Sequence, residues 1–360
     1  MQYPTISEYV KANQDASDNL DMSTEATNAE LLKEAITDEF GVEYSKDGRK
    51  LLKAPQKLDG TYSIKEGVRI ICNNAFSGCF SLKSLVIPDS VTRIGEGAFL
   101  WCSSLSEIVI PSSVTSIGHS AFGDCYSLTS IAIPSSVTSI GEGAFNGCSS
   151  LTDIAIPDSV TSIGDNTFMG CTSLSSLVIP ESVVSIKGNL FCGWYGELKC
   201  LSPNFIFEDG VLFDKDKSTI ISFRDKDITS YVIPDYVTSI GARAFRDCTS
   251  LTDIVIPDSV TSIGNRAFFC CASLSEIVIP SSVTSIGDSA FGGCVSLSEI
   301  VIPSSVTSIG KDAFYGCRSL SEIVIPSSIT SIGDKAFQFC NFPNDLKQEL
   351  ISQFGEKIFG

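Results

Sequence analysis

Apolar residues return at a fixed interval along most of the chain. The octapeptide SEIVIPSS occurs four times, starting at Ser106, Ser275, Ser298 and Ser321. Close variants fill most of the remaining sequence, in two runs whose leading leucines recur every 23 residues. These are Leu82, Leu105, Leu128, Leu151 and Leu174, then Leu251, Leu274, Leu297 and Leu320. Such a period predicts a solenoid, because one coil cannot bury its apolar side alone whereas a stack of coils can.

The start of each coil has the pattern of a half-buried strand. In the coil that begins at Leu297, Ile300 and Ile302 alternate with other residues, as in a strand with one packed face. Pro303 follows at once and has no N–H for a ladder, so we expect the strand to end there. In-register stacking of such coils predicts parallel strands about 4.8 Å apart.

The second half of each coil predicts an extended piece, a bend and a short helix. Residues 306–309, VTSI, are rich in β-branched side chains and predict a second extended piece on another side. Gly310 is expected to give the backbone the freedom to bend. Ala313, Phe314 and Cys317 have the spacing of one helical turn, which directs the phenylalanine into the core.

This consensus resembles the BspA-like leucine-rich repeats, also called the Treponema pallidum type. The resemblance is carried by sequences such as LSEIVIPSSVTSIGDSAFGGC, residues 274–294, and it covers residues 41–341. It implies an α/β repeat fold: a curved leucine-rich-repeat solenoid of 23-residue coils, with a parallel concave sheet and short helical turns on the convex side. It also implies roles in adhesion and protein binding, often at bacterial or protist cell surfaces.

Two stretches interrupt the period, and both predict β-hairpins. They are GVEYSKDGRKLLKAP from Gly41 and GVLFDKDKSTIISF from Gly210. The predicted parts are an N-terminal helical cap over residues 1–40, a solenoid over 41–341 with an inserted hairpin near 205–227, and a C-terminal helical cap over 342–360. One continuous solenoid is the favoured arrangement, and two solenoids hinged near residue 205 are the alternative.

Both ends of the solenoid carry helix signals. Thr27 and Glu30 have the spacing of a capping box, residues 29–40 that follow are helix-like, and Thr5 and Glu8 share the same spacing. Near the other end, three apolar residues share one helical face: Leu346, Leu350 and Phe354. We therefore expect a cap at each end, because an uncovered terminal coil would expose its core.

Ten of the fourteen cysteines occupy one slot of the coil. They are Cys79, Cys102, Cys125, Cys148, Cys171, Cys248, Cys271, Cys294, Cys317 and Cys340. Stacked side chains about 4.8 Å apart lie beyond the usual Cβ separation of a disulfide, about 3.8 Å. A linear ladder also fails to converge on a zinc ion. The spacing therefore favours small buried thiols and a reducing compartment, with no metal and no cofactor.

The net charge of −17 limits the partners. A nucleic acid or an anionic membrane surface would need a basic footprint, whereas a basic protein patch suits an acidic chain. The first residues lack the pattern of a signal peptide, and no run is long enough for a membrane helix. The sequence thus predicts a cytoplasmic protein without membrane insertion, whereas the family resemblance implies the cell surface. The oligomeric state stays open.

No residue pattern predicts catalysis. His119, the single histidine, stands in a slot that holds charged residues in other coils, so we expect it to be exposed and unassisted. No nucleophile elbow or phosphate loop appears. A carboxylate pair for glycoside hydrolysis stays open from spacing alone, although two copies of one slot would share one environment. We therefore expect a protein that is not an enzyme.

The exposed strand positions supply the candidate binding residues. In the second run they form an acidic row and an apolar row on what the resemblance makes the concave side. The acidic row is Asp253, Glu276, Glu299 and Glu322, and the apolar row is Val255, Val278, Val301 and Val324. Like charges on neighbouring strands repel. The rows are either a harmless result of duplication or a surface for a protein with basic or apolar groups.

Aromatic residues outside the core slots are a second set of candidates. They are Trp101, Trp194, Tyr195, Phe269 and Tyr315. Such rings either fill space or serve as platforms for sugars. The sequence therefore predicts a non-enzymatic protein-binding scaffold, with adhesion or cell-surface interaction as the role that the resemblance implies. A carbohydrate-binding or carbohydrate-processing protein on the same scaffold is the alternative.

Overall fold

The fold is given by a computed structural model that describes residues 23–27, 30, 34–225 and 227–360. The chain divides into two compact units, Met1–Ser202 and Pro203–Gly360. Each unit is a β-solenoid of stacked coils. The predicted helix start near Thr5 and most of the predicted cap over residues 1–40 lie outside the described residues.

The described part of the first unit contains sixteen short strands. They are β1 (Ile36–Thr37), β2 (Glu43–Tyr44), β3 (Lys50–Lys53), β4 (Gly60–Ser63), β5 (Ile70–Ile71), β6 (Leu82–Val86), β7 (Arg93–Ile94), β8 (Glu107–Ile108), β9 (Ser116–Ile117), β10 (Ser130–Ala132), β11 (Ser139–Ile140), β12 (Asp153–Ala155), β13 (Ser162–Ile163), β14 (Ser176–Ile179), β15 (Ser185–Ile186) and β16 (Glu197–Cys200). One sheet has the order β1-β2-β3-β5-β7-β9-β11-β13-β15, and the smaller sheets are β4-β6-β8, β10-β12 and β14-β16.

The second unit repeats this plan and adds a C-terminal helix. Its strands are β17 (Phe205–Glu208), β18 (Val211–Asp214), β19 (Thr219–Phe223), β20 (Ser230–Val232), β21 (Ser239–Ile240), β22 (Asp253–Val255), β23 (Ser262–Ile263), β24 (Glu276–Val278), β25 (Ser285–Ile286), β26 (Glu299–Val301), β27 (Ser308–Ile309) and β28 (Ser331–Ile332). The large sheet is β17-β18-β19-β21-β23-β25-β27-β28, and the pairs are β20-β22 and β24-β26. Helix α1 spans Asn344–Phe354, and a 3₁₀ helix spans Glu356–Ile358.

Both hairpin predictions are confirmed. Strands β2 and β3 pair antiparallel in the first unit, and β18 and β19 do so in the second. A third antiparallel strand, β1 or β17, precedes each hairpin. In the second hairpin, Asp214 accepts hydrogen bonds from the Ser218 hydroxyl at 2.7 Å and the Thr219 N–H at 3.0 Å. The polar residues between the strands therefore close a turn.

The predicted parallel strands are present, but the more continuous ladder lies on the unexpected side of the coil. The Ile-x-Ile pieces form sheets of only two or three strands. The two-residue Ser-Ile pieces instead join into the large sheets, in register from coil to coil, as in Ser308 with Ser331. A proline directly after each Ile-x-Ile piece cannot donate to a ladder, and this keeps the pairing there short.

The prediction of a one-turn helix in each coil is wrong. The segment Ala98–Cys102 forms hydrogen-bonded turns, with the Cys102 N–H donating to the Phe99 oxygen at 3.1 Å. Alternate N–H groups reach the next coil, as when Phe99 donates to Ala121 at 2.8 Å. Gly97 and Trp101 have φ of 58° and 61°, which a right-handed helix excludes. These turns therefore form a backbone ladder between coils.

Gly310 lies directly before the turn of its coil, but it does not take a left-handed conformation. Its φ is not positive. A Cβ on Gly310 would lie 2.6 Å from the backbone nitrogen of Asp288 in the preceding coil. Glycine is needed here because two backbones approach closely, and the left-handed positions of this coil are Asp312 and Gly316.

The core follows the predicted slots. Phenylalanines from successive coils stack with ring centroids 5.1 Å to 6.0 Å apart. The stacked rings are Phe76, Phe99, Phe122, Phe145 and Phe168 in the first unit, and Phe245, Phe268, Phe291, Phe314 and Phe337 in the second. All ten are fully buried, and the repeat leucines are buried beside them. The copies therefore shield one another's apolar interiors, as the period predicts.

The cap signals agree with the structure in part. The capping box is confirmed, since the Glu30 carboxylate accepts from the Thr27 N–H at 2.7 Å and the Thr27 hydroxyl accepts from the Glu30 N–H at 3.2 Å. The helix does not extend to Phe40, because Ile36–Thr37 form β1 and pair with β2.

At the other end, α1 is confirmed. Its Leu350 is buried in the core of the second unit, where Leu346 and Phe354 pack as well. Gly355, which follows, donates its N–H to the Ile351 oxygen at 2.8 Å. Residues after α1 then occupy the place of a further coil, and the Phe337 N–H donates to the Ile358 oxygen at 2.9 Å.

Candidate binding surface

The predicted acidic and apolar rows lie side by side on the exposed face of the second unit. We call this surface the acidic–valine ladder, formed by Asp253, Glu276, Glu299, Glu322, Val255, Val278, Val301 and Val324. All eight side chains are exposed. Val278 is 65% exposed and Val324 is 82% exposed, whereas Ile277 between the two rows is buried.

The strand register holds the rows in line. Glu276 pairs with Glu299, and Val278 pairs with Val301, in the parallel pair β24-β26. The alternation of a strand sends the intervening isoleucines inward and both rows outward. The structure therefore places the predicted residues together, with one carboxylate and one valine per coil.

The glutamates of this ladder are not neutralised by any cationic residue that the structure describes. Asp253 accepts a hydrogen bond from the Ser230 hydroxyl at 3.2 Å. No lysine or arginine within the described ranges forms an ion pair with Glu276, Glu299 or Glu322. Three like charges thus stand on successive coils without compensation.

Sequence reasoning missed one member of the apolar row. Val232 is 64% exposed and pairs with Val255 in β20-β22. Its coil departs from the consensus, because Ser230 and Tyr231 replace the usual acidic residue and isoleucine. The following Val-Ile-Pro was the available signal, since it matches the end of the other strands.

The first unit presents a depression at the corresponding positions. A shallow cavity of about 580 Å³ is lined there by Glu107, Ser130 and Asp153 and by the small side chains Ala132 and Ala155. The sequence at these positions alternates carboxylate and hydroxyl, so this face is less acidic than the ladder of the second unit.

The structure brings no catalytic constellation together among the predicted residues. His119 is exposed, as expected. Among the described residues, no group of three or more His, Cys, Asp or Glu side chains is arranged to hold a metal ion. The ten cysteines of the repeated slot are buried. Burial raises the pKa of Cys171 and of Cys294 to about 12. A buried thiol that resists ionisation is a poor nucleophile.

The aromatic candidates separate into two kinds. Trp194 is buried and donates its indole N–H to the Leu174 oxygen at 2.6 Å, so it fills the break in the repeat. Trp101 is 49% exposed and donates to the Asp124 carboxylate at 3.0 Å. Tyr195 and Tyr315 are exposed, and Phe269 is half-buried. The exposed rings therefore remain candidates for ligand contact.

Stacked coils, repeated core slots and exposed ladders define a repeat protein of the solenoid class. The chain matches the family described as "BspA type Leucine rich repeat region", in six copies, over residues 69–196 and 220–343. It belongs to this leucine-rich-repeat family, as the consensus predicts.

Solved structures that are similar over most of the chain include a cell surface protein and a vaccine antigen. One is a leucine-rich cell surface protein from Faecalibacterium prausnitzii A2-165, with 30% identity and a TM-score of 0.64, covering 89% of this chain and 98% of that protein. The other is the pneumococcal vaccine antigen PcpA, with 20% identity and a TM-score of 0.57, covering 89% and 96%; it shows the fold alone. No curated protein matches the chain.

The described part of the chain contains no helix of the length and apolar character that crossing a membrane requires.

Proposed function

We propose that this protein is a non-enzymatic scaffold that binds a protein partner through the acidic–valine ladder. The observation that carries the proposal is the unneutralised row of carboxylates beside an exposed row of valines. Exposed apolar groups favour burial by a partner, and uncompensated carboxylates favour basic groups. Membership in a leucine-rich-repeat family supports a binding role over catalysis.

The spacing of the ladder suits an amphipathic helix lying along the stack. Successive coils are about 4.8 Å apart, and successive turns of an α-helix are about 5.4 Å apart. Basic residues three or four positions apart would therefore meet the carboxylates coil by coil. An adjacent apolar stripe on the same helix would cover the valines, in the manner of helices that bind in apolar grooves.

A designed peptide tests this geometry. It carries lysines at helical spacing on one stripe and leucines on the neighbouring stripe, and a scrambled peptide of equal composition is the control. We expect binding of the patterned peptide in isothermal titration calorimetry, weakened by added salt because the contacts are ionic. Equal binding of both peptides, or binding of neither, would contradict the proposed docking geometry.

We also propose that the protein acts at a cell surface, and this proposal differs from the cytoplasmic location that the first residues predict. Similarity to a protein named as a cell surface protein supports it. Intact producing cells should label this protein with a membrane-impermeant biotin reagent. Labelling only after lysis would overturn the surface location and leave the binding proposal untouched.

A further inference from the structure

A groove crosses four coils of the second unit away from the acidic–valine ladder. Its cavity is about 340 Å³ and lies on the turns that follow the Ser-Ile strands. Its lining residues are Arg266, Phe269, Ser289, Asp312, Tyr315, Lys335 and Gln338. We refer to it as the turn groove, and we propose that it binds a neutral carbohydrate.

The two walls of the turn groove come from two slots of the coil. The residue two positions after the repeat glycine forms one wall, with Arg266, Asp312 and Lys335. The residue directly after the core phenylalanine forms the other wall, with Phe269, Tyr315 and Gln338. One wall is therefore polar and charged, and the other carries the two aromatic rings.

Both rings of the aromatic wall are held in place by their neighbours. The Arg246 guanidinium lies over the Phe269 ring, 5.4 Å from its centroid. A Cβ placed on Gly292 would come within 3.0 Å of the same ring. Phe269 therefore leans over the next coil, where glycine occupies the same slot and leaves room for the ring. Tyr315 packs edge-on against Phe339, with ring centroids 5.2 Å apart. Such support lowers the entropic cost of binding on these rings.

The ring separation suits a short oligosaccharide. Phe269 and Tyr315 belong to coils two steps apart, which corresponds to about 10 Å along the stack. The first and third rings of a linear trisaccharide lie about this far apart, and the apolar face of a sugar can cover an aromatic ring. The groove is therefore long enough for a trisaccharide whose two outer units each cover one aromatic ring.

The charges along the polar wall favour a neutral ligand with many hydroxyls. Arg266 and Lys335 are cationic and exposed, and the Asp312 carboxylate lies in a coil between them. Asp312 is 4.0 Å from the Lys311 ammonium, a weak surface contact. An anionic ligand would be attracted by Arg266 and Lys335 at the two ends of this wall and repelled by Asp312 between them, and a cationic ligand would meet the reverse. Hydroxyl groups both donate and accept, so they can bind guanidinium, carboxylate and ammonium in turn.

The first unit provides a natural control at the same slot. Leu100 replaces the aromatic residue and leans over Gly123, where an added Cβ would come within 2.8 Å of it. Its opposite wall has Gly97 and Gly143 in place of charged residues. The geometry of the turn is thus shared, whereas the rings and the charged groups are specific to the second unit.

The test is a printed array of neutral and acidic oligosaccharides, followed by titration calorimetry with the neutral sugar that binds best. Phe269→Ala and Tyr315→Ala should each weaken that binding about tenfold. Gly292→Ala should weaken it as well, with both rings retained, because the added methyl displaces Phe269. Leu100→Ala is the matched control and should leave the affinity unchanged.

Three outcomes would overturn this proposal. They are an array with no neutral ligand, binding confined to acidic glycans, and a neutral ligand whose affinity is unaffected by both aromatic substitutions. Unchanged melting temperatures of the variants exclude unfolding as the cause of lost binding. The patterned basic peptide should bind Tyr315→Ala as well as it binds the unchanged protein. Failure of the sugar-binding proposal can therefore be told apart from failure of the proposal that the acidic–valine ladder binds a protein.

Discussion

At the scale of the residue, the cysteine slot shows how one kind of side chain does the same work in ten coils. The Cys102 thiol donates to the Phe76 oxygen at 3.2 Å, and Cys125 donates to Phe99 at the same distance. Each thiol therefore satisfies a carbonyl of the preceding coil while filling a small apolar space. Burial and a raised pKa also protect the thiols from oxidation, so a cell-surface location does not conflict with an unbridged ladder.

The thiol ladder predicts a loss of stability at alkaline pH. In the unfolded chain a thiol ionises near its ordinary pKa of 9.0, whereas burial raises the pKa of Cys294 to about 12 in the folded protein. Between these values the folded state binds more protons, so stability falls as pH rises, by about 1.4 kcal/mol per pH unit for each such thiol. Urea unfolding at several pH values above 9 measures this slope.

The variant Cys294→Ala isolates one thiol. Its slope should be smaller by about 1.4 kcal/mol per pH unit, whatever its absolute stability. An identical slope in the variant, or a stability that does not change over this range, would mean that the thiol is not protected by burial.

At the scale of the element, the sequence predicts those parts of the coil whose structure depends on the repeated apolar positions alone. The buried slots of Phe291 and Ile300 followed from the period, because an apolar residue recurring at one slot has to face the shared interior. The turn that contains Ala98 and Phe99 was not predictable in this way. Its spacing fits one turn of helix equally well, and hydrogen bonds to the next coil together with left-handed residues decide the outcome.

The phenylalanine stack predicts a large difference between two substitutions in the second unit. Phe291 lies between Phe268 and Phe314, with centroids 5.4 Å and 5.5 Å away, and is fully buried. Phe291→Ala should lower the free energy of unfolding by about 3–5 kcal/mol, because it leaves a cavity in the stack. Phe339 is 60% exposed, so Phe339→Ala should cost less than about 0.5 kcal/mol. Similar losses in urea unfolding for both variants would contradict a shared core.

At the scale of the whole molecule, the acidic–valine ladder and the turn groove differ in how much of each could be predicted from the sequence. The acidic–valine ladder could be read from residues such as Glu276 and Val278, because the strand period sends both outward. Sequence reasoning named Phe269 and Tyr315 as possible platforms for sugars but did not predict the turn groove, since the groove depends on Phe269 leaning over Gly292, a contact between coils that no local pattern encodes. The division into two compact units agrees with the break in the period near residue 205. One continuous solenoid stays a prediction, with two hinged solenoids as the alternative.

The central claim is that the row of glutamates binds the partner while the buried slots only maintain the fold. The most direct test titrates the patterned basic peptide into the triple variant Glu276→Lys, Glu299→Lys and Glu322→Lys. A matched control changes three exposed acidic residues elsewhere in the second unit, Asp235, Asp258 and Glu349, to lysine, with the same change in net charge. We expect the ladder variant to lose at least about tenfold in affinity, equivalent to about 1.4 kcal/mol, and the control to bind as the unchanged protein does. Equal affinities for the two variants would contradict the claim.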